Sequence, residues 1–441
     1  MQEASNSSQF RIVITTEARQ IARMVSKRRI SRLWTQIAVV ATGAAAVLLS
    51  ACGGPDESEA PVDGAAPAEG FGPPVLRVAA VYNDEAIQIR FEFPTDNPVW
   101  YHQYWIFDGN EWIRHGSGAD GPDEHGLYED RISMMLDDGS VEHFGEAGGF
   151  VAVHHGMRSL PSEADPDEVR AHPHLGERLG ESDVRKFISA SREGDPGEDH
   201  WKRVRDPAEL ERLRADGVFL DLWQWRAHRS HPVGYADNGY VLDYRHSSAG
   251  TGPYTTNALT EAGHPDWMFD PAAAGFRALR FEGLKNREYG QEDLYYLTEA
   301  HAAPFDPDHD WQAGDAIPQR FLREPSGSRG AIRADGGYSG GAWRIRLTRS
   351  LESPDPLDSK ELRPGEEYTV AFAVHSGGVG ARHHLVSQPV TLSLAADSGA
   401  EIQAVRAPRG TSPDDAEARW TEIPLFMPGT ATWDQMHGHY E

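Results

Sequence analysis

Apolar side chains occupy every second position in several parts of this 441-residue chain. In one segment, Ile87, Ile89 and Phe91 alternate with Gln88 and Arg90. Because successive side chains of a β-strand point to opposite faces, such a segment predicts a strand with one buried face. The alternation is found in residues 86–93, 343–349, 368–374 and 390–394. Strands of this kind are typical of antiparallel sheets, whereas the strands of a helix-covered parallel sheet are apolar on both faces.

Turn-forming residues and a scarcity of helical patterns complete the prediction of fold class. The 44 Gly and 29 Pro residues favour turns over long helices. One short helix is predicted, with Asp206 as its N-cap, Pro207 at its first position and Gly217 at its end. We therefore predict an all-β fold, an antiparallel β-sandwich with long loops and a few short helices.

The N-terminal 51 residues have the features of an export signal. Basic residues between positions 27 and 32 precede an apolar run, 37–49, which is too short for a good membrane span. This order is typical of a secretory signal peptide, with Met24 as its predicted start, and a buried N-terminal helix is the alternative. The sequence LSAC, ending at Cys52, resembles the bacterial lipobox, which implies that this cysteine is lipidated. We therefore expect a periplasmic lipoprotein that is anchored to the outer membrane of a bacterium.

Two further regions follow the signal. Residues 52–74 are rich in Pro, Gly, Ala and acidic residues, and they predict a flexible tether. Residues 75–441 predict one β domain. Its middle part, 161–310, is rich in loops, and ordered loops of that length usually have a function. The formal net charge of −26 argues against unaided binding to nucleic acid or to an anionic membrane surface. We expect the membrane to be reached through the lipid anchor only.

Cysteine and histidine limit the metal chemistry that is available. Cys52 is the only cysteine, which excludes a disulfide within the chain, a multi-thiolate zinc site, an iron–sulfur cluster and a Cys-x-x-Cys-His attachment for c-type haem. Histidine occurs 20 times, with adjacent pairs at 154–155 and 383–384. Neighbouring side chains on a regular strand point to opposite faces, so the first pair cannot chelate one ion there. A zinc or copper site built from His154, His383 and His384 is one alternative.

Five segments in a fixed order carry a family resemblance. They are YEDRISMML (128–136), HHGMRSLP (154–161), DLWQWRAHRSHPVGYADNGYVLDYR (221–245), FDPDHDWQAGDAIPQRFLREPSGSRGAIRA (305–334) and AFAVHSGGVGARHHLVSQPVTLSL (371–394). In this order they resemble the haem-binding subunit of the ethylbenzene dehydrogenase and dimethyl sulfide dehydrogenase group of periplasmic molybdenum enzymes, and its stand-alone cytochrome relatives. The resemblance runs from about Val75 to the C-terminus. It implies a β-sandwich, related to some carbohydrate-binding modules, that holds one haem at its loop end.

The resemblance also implies which residues hold the iron. In the molybdenum-enzyme subunits the ligands are Met and Lys, and the matching residues here are Met157 and Lys186. Arg158, beside Met157, is expected to contact the cofactor. A soft, uncharged Met ligand favours Fe(II), whereas a ligating Lys must lose its proton and therefore needs a desolvated pocket. Without the resemblance, Met157 would be assigned to core packing and Lys186 to the surface.

One departure from the relatives decides the type of haem. Many stand-alone relatives carry two cysteines before the histidine that matches His154, whereas this chain has Gly149 and Val153 at those positions. No thioether bond can form, so we predict a b-type haem held without covalent links. His154 occupies the position of the proximal ligand in those relatives and competes with Met157 for the iron.

The segment DLWQWRAHRS predicts a wall of the same pocket. Trp223 and Trp225 fall on one face of a strand and are large enough to stack against a flat macrocycle. Arg226 and Arg229 suit the haem propionates, because a planar guanidinium pairs well with carboxylates. In the alternative, the tryptophans pack the core and the arginines face water.

These features together predict a lipid-anchored b-type haem protein that passes single electrons and is not an enzyme. Its expected partner is a redox protein, either a molybdenum enzyme or a c-type cytochrome. The main alternative is a haem-free carbohydrate- or ligand-binding module of the same sandwich fold, in which aromatic side chains stack on sugar rings.

Overall fold

Short strands dominate the computed structural model, which describes residues 74–116, 126–150, 164–194, 199–378, 384–396 and 398–426. The strands are β1 (Val75–Tyr82), β2 (Ala86–Pro94), β3 (Tyr104–Phe107), β4 (Trp112–His115), β5 (Arg131–Asp137), β6 (Leu220–Arg226), β7 (Tyr235–Val241), β8 (Arg245–Ser247), β9 (Tyr254–Thr256), β10 (Trp267–Phe269), β11 (Leu279–Arg280), β12 (Leu297–Thr298), β13 (Ala302–Pro304), β14 (Asp315–Pro318), β15 (Arg320–Leu322), β16 (Ile332–Ser339), β17 (Ala342–Ser350), β18 (Glu367–His375), β19 (Leu385–Ser387), β20 (Val390–Ser393), β21 (Ile402–Gln403), β22 (Val405–Arg406) and β23 (Thr421–Phe426).

Helices are short. The α-helices are α1 (Phe144–Ala147), α2 (Pro166–Ala171), α3 (Pro207–Ala215), α4 (Pro271–Ala274) and α5 (Phe281–Lys285). A π-helical turn spans Pro173–Arg178, and 3₁₀ turns span Gly148–Phe150, Ser189–Ser191, His200–Lys202, His231–Val233, Glu299–His301, Ser328–Gly330 and Pro413–Asp415. The predicted helix is α3, and the Asp206 side chain accepts a hydrogen bond from the backbone N–H of Glu209 as its N-cap. Among the described residues, no helix is long and apolar enough to cross a membrane.

Ten of the described strands form a closed ring. Their order is β1, β2, β17, β16, β7, β6, β5, β18, β19 and β23, and β23 pairs with β1 again. Every neighbouring pair in the ring is antiparallel. A closed ring leaves none of these strands as a free edge that could pair with another chain.

Side chains from opposite sides of the ring meet in its interior. Phe91 of β2 lies edge-on to Phe372 of β18, with ring centroids 5.8 Å apart. Trp225 of β6 lies edge-on to Trp343 of β17 at 5.0 Å. The alternating apolar residues therefore fill one core between two facing layers, and the all-β prediction is confirmed.

Two additions to the ring matter for the site. The segments between the ring strands form a second apolar cluster around β3, β10 and β14. A third cluster covers the outer face of β5 and β6, where Met135 and Leu222 pack with Ile188 and Leu210. The segment that contains Lys186 is thus held against the outside of the ring.

Residues 1–73 lie outside the described residues. The predicted signal peptide, the Met24 start, the lipidated Cys52 and all of the tether except Pro74 belong to this part and stay predictions. The described residues belong to one compact unit, residues 72–432.

Candidate functional site

Strand β6 has two faces with different chemistry. Trp223 and Trp225 point into the ring interior and are fully buried there. Gln224 and Arg226 point to the outer face, because side chains alternate along a strand. There they line a cavity of about 220 Å³, together with residues of β7, β8 and β9.

Positive side chains outnumber negative ones in this cavity. Its charged lining consists of Arg185, Arg226, Arg245, Arg329, Glu181 and Asp237. Asp237 accepts hydrogen bonds from Arg226 Nη1 at 2.8 Å and from Arg329 Nε at 2.7 Å. Burial alone would raise the pKa of Asp237, but these two arginines lower it. The lining is polar, so the cavity suits the charged groups of a ligand rather than an apolar ring.

Lys186 lies next to this cavity. It follows Arg185, and its ammonium is close enough to Arg245 for the two positive charges to repel. Burial, and then the charge of Arg245, lower the pKa of Lys186 from 10.5 to about 8. No hydrogen bond or ion pair joins its side chain to another described residue. Loss of its proton is therefore easier than for a solvated lysine, as metal ligation by an amine requires.

Tyr254 faces several guanidinium groups at once. Its ring centroid lies 5.4 Å from Arg229, 5.9 Å from Arg226 and 5.6 Å from Arg320. Burial raises the pKa of this phenol, but the arginines more than offset that effect and bring the pKa down to about 8. The charge that acts on Tyr254 shows that this side of the cavity is strongly positive.

Arg229 is fixed by a buried carboxylate. Its Nε donates to Glu129 Oε1, and its backbone N–H donates to Glu129 Oε2 at 2.9 Å. The backbone N–H of His228 also donates to this oxygen, at 2.5 Å. Glu129 is completely buried, and removal of Arg229 would leave its charge without its main partner. The Arg229 guanidinium is therefore already paired with a carboxylate of the protein itself.

Arg131 is a residue that the sequence interpretation missed. It lies on the outer face of β5, directly opposite Arg226 of β6. Its guanidinium carbon lies 4.7 Å from the centroid of the Tyr128 ring, and its Nε and Nη2 are buried with no hydrogen-bond partner among the described residues. The only sequence signal is its place in the motif YEDR, one position before the core residue Ile132.

The structure places the predicted site residues in three groups. Arg226 lines the cavity, Arg229 lies near it through Tyr254, and Lys186 lies beside it. Trp223 and Trp225 do not line the cavity but pack the core, which was the alternative assignment for them. Their rings are not exposed, so they cannot stack on a sugar either.

The remaining predicted ligands lie outside the described residues. This applies to His154, Met157 and Arg158, and to His383 of the alternative metal site. The ring of His384 stacks on that of His375, with centroids 4.5 Å apart. Within the part of the chain that the structure describes, no group of three His, Cys, Asp or Glu residues is arranged to hold a metal ion.

Comparison with known protein families gives one match. A family model described as ethylbenzene dehydrogenase matches residues 56–387. The matched range includes Lys186, Arg131 and the whole of the cavity. No curated protein matches the chain. Because the description is that of an enzyme, the prediction that this chain is not an enzyme is wrong.

Proposed function

Because this chain belongs to the ethylbenzene dehydrogenase family, we propose that it takes part in a redox reaction of that enzyme class as the member that binds haem. The haem is of b type, held without covalent bonds, since Cys52 is the only cysteine. When bound, it supplies a centre that gains and loses single electrons. The protein residues hold this group, orient it and balance its charge.

The position of Lys186 is the observation that carries the proposal. A haem requires axial donors for its iron and cations for its two propionates. Lys186 offers an amine of lowered pKa, and the neighbouring cavity offers guanidinium groups. Lys186 and the cavity are neighbours on the outer side of the ring, so an amine for the iron and guanidinium groups for carboxylate arms are available to one ligand there.

The course of the chain around Met135 supports a second iron ligand from residues 151–163. Gly149, just before that segment, packs against the Met135 side chain: a Cβ added there would lie 3.2 Å from the methyl carbon. Met135 belongs to the same apolar cluster as Ile188, two residues after Lys186. Gly149 and Ile188 therefore border one apolar patch, and each is close in sequence to a predicted ligand. We propose Met157 as the second ligand, with His154 as its competitor and Arg158 as a contact of the cofactor.

The cellular setting is also a proposal. The basic region, the short apolar run and Cys52 support export and lipid anchoring on the periplasmic side of a bacterial membrane. A redox protein, either a molybdenum enzyme or a c-type cytochrome, is the proposed electron partner. An acidic surface favours a partner with a basic docking surface.

Haem content and spectrum test the proposal directly. We expect the full chain, produced with ample haem, to contain about one haem b per molecule by the pyridine haemochrome assay. Lys186→Ala should alter or abolish the low-spin spectrum, because one axial donor is lost. Lys285→Ala is the matched control, since Lys285 is an exposed lysine paired with Glu282. Correctly folded protein that is colourless, and that stays colourless when hemin is added, would refute the proposal.

A further inference from the structure

The cavity on the outer side of β6, β7 and β8 is small and polar. Its volume of about 220 Å³ is below the roughly 300–1,000 Å³ that is typical of pockets for drug-sized ligands. Gly239 of β7, directly opposite Ser247 of β8, lines it without a side chain that could fill the space. None of the described residues that line the cavity has an aliphatic side chain. A ligand in it therefore meets polar groups rather than a hydrocarbon surface.

The two carboxylates that line the cavity already have partners in the fold. Asp237 accepts hydrogen bonds from Arg226 Nη1 at 2.8 Å and from Arg329 Nε at 2.7 Å. Glu181 Oε2 accepts a hydrogen bond from the Tyr244 hydroxyl at 2.9 Å. Because one carboxylate, Asp237, serves two guanidiniums, this pairing leaves one positive charge in excess.

Arg245 is the guanidinium of this lining that pairs with no carboxylate among the described residues. Arg185, by comparison, donates to Asp183 at 3.2 Å. Arg245 points to the same side of β8 as Ser247 and lines the cavity. Burial, and then the charges of Arg185 and Arg226, lower the pKa of Arg245 from 12.5 to about 10. An anion in the cavity would add attraction where Arg245 now meets repulsion.

Tyr254 indicates that the positive charge at the cavity exceeds the negative charge. It lines the same cavity as Arg226 and Arg245. Burial and the charge of Asp237 raise the pKa of its phenol, but Arg229 and Arg226 outweigh both, and the pKa falls to about 8. A negative charge placed here is therefore favoured over a positive one.

We propose that this cavity binds one small inorganic oxyanion, with Arg245 as its main partner and with Arg226 and Tyr254 as further contacts. A planar guanidinium with unused donors holds an oxyanion through two parallel hydrogen bonds. The oxygen atoms of such an ion match the polar lining, whereas a ligand with a large hydrocarbon body requires apolar walls. This site goes beyond the proposed function and does not depend on haem.

Calorimetric titration of the haem-free full chain with sodium sulfate tests this site, with sodium chloride at matched ionic strength as the reference. We expect wild type to bind one sulfate, and Arg245→Gln to bind it at least about tenfold more weakly, because a charge and paired donors are lost. Arg245→Lys, which keeps the charge without the planar fork, should lie between the two. Arg212→Gln, at an exposed position of α3, should bind sulfate as wild type does. Equal sulfate affinities of wild type and Arg245→Gln would overturn the proposal.

A spectroscopic readout locates the bound ion. Sulfate in the cavity should raise the pKa of Tyr254, so that the phenolate absorbance at about pH 8 falls during the titration of wild type but not of Tyr254→Phe. Sulfate binding that leaves this absorbance unchanged would place the ion elsewhere and refute the site. Without sulfate, Arg245→Gln should resist urea at least as well as wild type, because repulsion from Arg185 and Arg226 is relieved.

A hemin titration of the same preparation keeps the two proposals apart. If wild type binds sulfate in this way but takes up no hemin, the haem proposal fails and the oxyanion site stands. If wild type takes up hemin, and sulfate gives neither heat nor a change in phenolate absorbance in the haem-free chain, the oxyanion site is refuted and the haem proposal stands.

Discussion

Single residues at this site hold charge in places where charge is expensive. Lys186 is desolvated beside Arg245, and Arg131 faces Arg226 across a strand pair. Glu129 is buried completely and relies on Arg229. Charges held in this way cost folding stability, and groups of this kind cluster at functional sites. Under the proposed function, the ligand they serve is an anion with a metal centre.

The lowered pKa of Lys186 predicts a specific pH dependence of stability. With a pKa of about 8 in the folded protein and 10.5 in the unfolded chain, the unfolded chain binds more protons between these values. The free energy of unfolding should therefore rise with pH in this window, because the penalty for a buried ammonium disappears as the folded protein deprotonates. Urea unfolding of haem-free wild type and Lys186→Met at pH 7.5 and pH 10 measures it.

The comparison with the variant isolates the lysine from other titrating groups. Between the two pH values, wild type should gain on the order of 2 kcal/mol relative to Lys186→Met. Lys285→Met, at an exposed position, should show no such difference from wild type. A constant gap between wild type and Lys186→Met would mean that the amine is fully solvated in the folded protein.

Individual strands determine which side chains can reach a ligand. On β6, Trp223 and Trp225 pack in the core, whereas Gln224 and Arg226 line the outer cavity. The strand is buried on both faces, because the segment with Ile188 and Leu210 covers its outside. One strand therefore links the packing of the ring to the geometry of the cavity.

Replacement of Trp225 separates these two roles. Trp225→Ala should lower the free energy of unfolding by about 3–5 kcal/mol, since a large core side chain is lost. The absorption spectrum with bound hemin should stay that of wild type in the fraction that remains folded. Urea unfolding and a hemin titration provide the two readouts. Unchanged stability with lost hemin binding would instead identify the indole as a wall of the haem pocket.

The regular strands could be predicted from sequence, whereas several of the strands that they pair with could not. The alternation at 86–93, 343–349, 368–374 and 390–394 corresponds to β2, β17, β18 and β20, because one-sided burial leaves a period-two pattern. Closure of the ring depends on β19, a strand of three residues with no such pattern. Pairing between distant segments is set by the whole fold and leaves little trace in either segment.

The same limit applies to the site. The motif YEDR marks residues 128–131, but the sequence cannot show that Glu129 pairs with Arg229 while Nε and Nη2 of Arg131 make no hydrogen bond with a described residue. Glu129 and Arg229 lie 100 residues apart in the sequence. The sequence assigns Arg226 and Arg229 to the propionates by residue type and by their place in the segment DLWQWRAHRS, and neither criterion says which guanidiniums are already paired.

At the scale of the whole molecule, charge is divided between surface and site. The chain carries a formal net charge of −26, yet the cavity and its surroundings are rich in arginine. Attraction of a small anionic ligand to the cavity and attraction of a basic protein to the acidic surface therefore do not compete. Screening by salt should separate the two, because exposed charges are screened far more than buried ones.

This division predicts how electron transfer responds to salt. Under the proposed function, electron transfer from the reduced full-length protein to a basic c-type cytochrome should slow by at least about tenfold between about 0.01 M and 1 M salt, because long-range attraction is lost. Transfer to ferricyanide, a small anion, should instead become faster as repulsion is screened. Stopped-flow absorbance at several salt concentrations measures both rates. If both acceptors respond to salt in the same direction, the acidic surface does not guide the partner, and docking depends on a local patch whose charge differs from that of the whole molecule.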